Sequence, residues 1–80
     1  MGVYPPSNFM KLVVIGKREF KFEMQELAES RGYTKKEYKL VFNKNDLSGL
    51  KGLNYIIHSR PKDYWKIEDY LEKFEFVKIK

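Results

Sequence analysis

The sequence predicts an α+β fold in one small domain, and three observations carry that prediction. The 80-residue chain is too short for two cores. Its 13 aromatic residues nevertheless supply enough apolar surface for one. Along the chain, short β-branched runs alternate with stretches of helical period in the order β-α-β-β-α-β.

Met1 to Asn8 contains Pro5-Pro6, which forbids helix and favours extended backbone, so residues 1–8 read as an arm and 9–80 as the domain. Phe9 to Ile15 is apolar, β-branched and closed by Gly16, which predicts a first, central strand. Glu19 to Arg31 places Phe20, Met24, Leu27 and Ala28 on one face with glutamates between them, and Gly32 follows as a stop, which predicts a helix. Tyr38 to Phe42 alternates before the turn cluster Asn43-Lys44-Asn45-Asp46, and Tyr55-Ile56-Ile57 has the same strand character. Ser59 stands where it can cap a second helix, with Pro61 and Asp63 in its first turn and Tyr64, Ile67, Leu71 and Phe74 as its apolar stripe. Glu75 to Lys80 alternates as a closing strand. In one small domain this order is most often the ferredoxin-like arrangement, a four-stranded antiparallel sheet with both helices on one face and the other face open.

Composition removes many function classes. Cysteine is absent and His58 is the single histidine, so disulfides, thiolate chemistry and ordinary zinc sets are excluded and no metal or cofactor is expected. The longest apolar run, Leu12-Val13-Val14-Ile15, is far too short to span a bilayer, and the N-terminus has neither the basic nor the apolar region of a signal peptide, so a cytoplasmic protein without membrane partners is expected. Sixteen Lys+Arg against eleven Asp+Glu give a net charge of +5, which suits a solubilising surface or an anionic partner.

Two segments carry a more specific signal. Lys51-Gly52-Leu53-Asn54-Tyr55-Ile56-Ile57-His58 resembles the third-strand signature of RNA recognition motifs at Lys51, Gly52, Tyr55 and Ile56, and departs from it at Leu53, Asn54 and His58. The resemblance implies that Tyr55 stacks on an unpaired base from the open sheet face. Phe76 is a second stacking candidate, with Lys51, Lys78 and Lys80 on phosphates. Gln25 to Tyr38 is similar to a helix-turn-helix, in which Thr34 and Glu37 would box the start of a recognition helix carrying Lys35, Lys36 and Lys39. That reading turns the second strand into a helix, so the two are mutually exclusive.

No phosphate loop, nucleophile–base pair or metal motif is present, so an enzyme is not expected. The one enzymatic alternative is a metal-free ribonuclease using His58, Arg60 and a tyrosine. The sequence thus leads to the expectation of a small basic protein that binds nucleic acid, RNA or single strands preferred, through Lys51, Tyr55, His58, Arg60, Phe76, Lys78, Lys80, Lys35, Lys36 and Lys39. The alternative is a protein-interaction or inhibitor module, of the kind viruses use against host machinery, that docks a partner or a second copy through aromatic edges or the Tyr64-Trp65-Tyr70 surface.

Overall fold

A computed structural model of the chain describes residues 10–79. The arm expected over 1–8, Phe9 and Lys80 lie outside them. The order of elements follows the expectation: β1 (Leu12–Ile15), α1 (Lys21–Ser30), β2 (Tyr38–Val41), β3 (Asn54–Ile57), α2 (Tyr64–Lys73) and β4 (Val77–Lys78). Short 3-10 turns at Arg18–Phe20 and Lys44–Leu47 precede α1 and follow β2.

The pairing of the strands overturns the antiparallel ferredoxin-like sheet. All three strand pairs are parallel and the sheet order is β2-β1-β3-β4. In the expected fold β2 and β3 would be a hairpin. Here residues 42–53 instead cross over β1, laying Leu47, Leu50 and Leu53 on the sheet on their way to β3. A parallel pair needs such a crossover because both strands must enter from the same end. The step from β1 to β2 goes one way across the sheet with α1 on one face. The next two steps go the other way with the Lys44–Leu47 turn and α2 on the opposite face, so all three connections share one hand.

β1 shows why no face is left open to serve as the expected binding platform. Its four residues are all fully buried, and alternate side chains point to opposite faces. Val13 and Ile15 pack with Val41, Leu47, Ile67, Leu71 and Phe76 in one core. Leu12 and Val14 pack with Met24, Ala28, Tyr38 and Ile56 in the other. An uninterrupted apolar strand is what a parallel sheet covered on both sides requires.

The local chemistry of the helix ends differs from expectation at two places. Thr34 and Glu37 do bond, Thr34 N–H donating to Glu37 Oε1 at 2.9 Å, but they close a turn that feeds β2, and no recognition helix follows. That amide first, and then the Lys11 ammonium, hold the Glu37 carboxyl below the usual carboxylate range. α2 begins at Tyr64, after Asp63 in the left-handed conformation (φ 59°), and Ser59 caps nothing there.

Tyr38 ties β2 to α1. Its buried hydroxyl donates to Glu29 Oε2 at 2.7 Å, and burial first, then the Glu29 carboxylate, pushes the phenol up to about 12. The neutral form is the one the fold favours, so this contribution is intact below the ordinary value near 10 and is lost as pH rises through about 12. Tyr38→Phe is expected to cost about 1 kcal/mol at neutral pH and to flatten the fall in urea midpoint across that alkaline window.

Candidate functional site

The strand order reverses at β1. Its neighbours β2 and β3 connect to crossovers on opposite faces, so the chain leaves the carboxyl ends of β1 and β3 in diverging directions. Open parallel sheets bind ligands in this position. Here the two strand ends and their loops are tightly tied. His58 N–H donates to Ile15 O at 2.8 Å, Gly16 N–H to Val41 O at 3.1 Å, and Lys17 N–H to Ser59 Oγ at 2.9 Å. Ser59 Oγ also lies 3.3 Å from His58 Nδ1, and the His58 ring packs on Phe20 with centroids 5.3 Å apart. Ser59 is therefore a stitch between the β1 and β3 loops.

Gly16 is required at this point because a Cβ would stand 2.7 Å from Met24 Sδ and 3.0 Å from Ser59 Oγ. Met24 is fully buried, so its thioether would have to shift within the core to admit the methyl group. Gly16→Ala is expected to destabilise the domain by about 1–3 kcal/mol, read as a lower urea midpoint at an unchanged slope.

Exposed cations stand around this junction. Lys17 and Arg18 come from the β1–α1 loop and Arg60 from the β3–α2 loop. The Arg18 guanidinium lies 4.6 Å from the Phe42 ring centroid and that of Arg60 5.0 Å from Tyr64, so both arginines rest on aromatic faces that position them. On the same edge, a groove of about 400 Å³ separates the Lys44–Leu47 turn from the first turn of α2. Lys44, Lys62 and Lys66 line it beside Trp65, which is 66% exposed. The carboxylates Asp63 and Asp69 also line it, and Asp69 is paired with Lys73.

Among the described residues the ion pairs are Lys11–Glu37 and Lys73–Asp69, so all six cations of this edge are without one. Asp46, the nearby acid of the 3-10 turn, is spent on its own backbone, accepting from Phe42 N–H at 2.8 Å and from Asn43 N–H at 3.3 Å. The edge can attract an anion by charge and offers one exposed aromatic ring for stacking.

The residues picked out from the sequence scatter. His58 and Arg60 reach this edge. Tyr55 and Phe76 do not form a platform: Tyr55 packs against the core under α2, and Phe76, 9% exposed, is a core member whose ring lies 6.1 Å from that of Tyr70. Lys35 and Lys36 sit in the turn before β2 and Lys51 in the loop before β3, both at the opposite end of the sheet. Lys39 is half-buried in β2, Lys78 is on the edge strand β4, and Lys80 lies outside the described residues. Lys17, Arg18, Lys44, Lys62 and Lys66 are not among the residues picked out. The signal that finds them is the unbroken apolar β1 followed by Gly16, which marks a doubly covered strand whose end opens a loop.

No helix among the described residues is long and apolar enough to cross a membrane. Comparison with known families, curated proteins and solved structures finds no match for this chain.

Proposed function

We propose that this protein binds single-stranded nucleic acid, RNA included, along the edge formed by the carboxyl ends of the strands. The observation that carries the reading is the gathering of Lys17, Arg18, Lys44, Arg60, Lys62 and Lys66, without ion pairs among the described residues, at the edge whose groove holds the exposed Trp65. The cations neutralise phosphates, Arg18 and Arg60 being held in place by Phe42 and Tyr64. Trp65 stacks on a base. Single strands are favoured over duplex because only an unpaired base exposes its face to that ring.

The test is affinity for a fluorescent oligonucleotide as salt is varied. If all six cations meet phosphates, the logarithm of the association constant falls linearly with the logarithm of salt at a slope of about −4 for a single strand. Absence of binding at 20 mM salt rejects the proposal and leaves the protein-interaction reading.

A further inference from the structure

Phe22 is the most exposed large apolar side chain among the described residues, at 77%. The helical period explains it: Met24 and Ala28 of α1 face the sheet, and Phe22 falls on the opposite side with Gln25, Glu26 and Glu29. Together with Glu23 and Lys35 these residues line a shallow depression of about 430 Å³ on the outer surface of α1. Nothing in the described chain covers it. It sets an aromatic ring among three glutamates and one lysine, a net negative lining, whereas the Trp65 groove sets its ring among three lysines and two aspartates, one of them paired with Lys73, a net positive lining.

The geometry points to a second copy of this chain as the occupant, its Trp65 groove seated on the Phe22 face of the first. The net charge of each surface disfavours the symmetric alternatives. Pairing α1 with α1 sets glutamates against glutamates, and pairing groove with groove sets lysines against lysines. Only the head-to-tail contact brings Glu23, Glu26 and Glu29 to Lys44, Lys62 and Lys66, with the two exposed rings in the centre. The two surfaces belong to opposite layers, α1 on one face of the sheet and α2 on the other. A copy bound through its groove therefore keeps its own α1 free for the next, and the association is open-ended. The net charge of +5 opposes approach at low ionic strength, whereas the local pairs are weakened at high ionic strength, so association falls off at both extremes of salt.

The inference does not depend on nucleic-acid binding, and its experiment omits nucleic acid. Sedimentation equilibrium of the full chain at 0.15 M salt is expected to give an average mass that rises with concentration above the 9.6 kDa of one chain without stopping at twice that value. Phe22→Ser, and separately Lys62→Glu with Lys66→Glu, each remain at the mass of one chain with unchanged circular dichroism. Mixed one to one, these two variants have one intact helix face and one intact groove between them and form a complex of two chains that grows no further. A wild-type chain that stays at 9.6 kDa at millimolar concentration overturns the inference, as does a mixture that stays at that mass. Growth that either variant set leaves unchanged overturns it equally.

Discussion

Val13→Asp and Val14→Asp are each expected to unfold the domain at 25 °C. Both residues are fully buried in the central strand and face opposite cores, Val13 toward Ile67 and Leu71, Val14 toward Met24 and Ala28. Neither core holds a buried charged residue to pair with the new carboxylate. An unpaired buried charge costs about 3–5 kcal/mol, against a total stability of about 5–15 kcal/mol that lies near its lower end for a domain this small. Far-ultraviolet circular dichroism and a urea titration measure the outcome. The pair also tests the topology. In a sheet with helices on one face only, one of the two valines would point at solvent and its aspartate would be tolerated. A folded Val13→Asp or a folded Val14→Asp would therefore contradict the doubly covered parallel sheet.

Replacing Lys17, Arg18 and Arg60 together by Gln is expected to reduce the salt slope of oligonucleotide binding by about 2 and the affinity by roughly 50-fold at 0.15 M salt, from three lost phosphate contacts. All three side chains are exposed and outside the cores, so the urea midpoint stays near wild type. Trp65→Ala is expected to cost about 1–3 kcal/mol on single strands and to leave the salt slope unchanged, because stacking releases no counterions. Phe76→Ala separates the edge from the sheet platform that the sequence suggested. It is expected to lose about 3–5 kcal/mol of stability from the core. Where the variant still folds, it binds like wild type. An unchanged slope in the triple variant would remove the edge as the interface.

Legibility in the sequence followed physical range. Each helix could be placed because its apolar period and its stop are local properties: Met24 and Ala28 with Gly32 after them, Ile67 and Leu71 with the chain turning at Phe74. Each strand could be placed by a β-branched run or by alternation of apolar and polar residues. Which strand lies beside which is not local, because a β-α-β-β-α-β order is satisfied by an antiparallel sheet with a β2–β3 hairpin or by a parallel one with a crossover. Two features bore on the choice. One was β1, apolar at every position and so unsuited to a sheet with a wet face. The other was the spacing of Leu47, Leu50 and Leu53, which gives the segment after β2 an apolar face of its own.

The same distinction governs the site. The resemblance to RNA recognition motifs placed Tyr55 on an open face, and that face is covered by α2. The capping pair Thr34 and Glu37 was correct as a hydrogen bond and wrong as the start of a helix, since a side chain three residues away can close a turn as readily as a helical one. Ser59 was read as a helix cap because of its neighbours in sequence, whereas its partner, the amide of Lys17, is 42 residues away.

By itself the sequence determined the six elements and their order, together with the absence of cysteine and an excess of positive charge. Tertiary structure decided what that charge surrounds. Lys17 and Arg18 follow β1, Lys44 follows β2, and Arg60 and Lys62 follow β3, and they share one edge only because the three strands run parallel. In an antiparallel sheet neighbouring strands end at opposite edges, so the same cations would be divided between two ends. Strand direction is set by crossover packing over the whole domain, and no local window of sequence contains it.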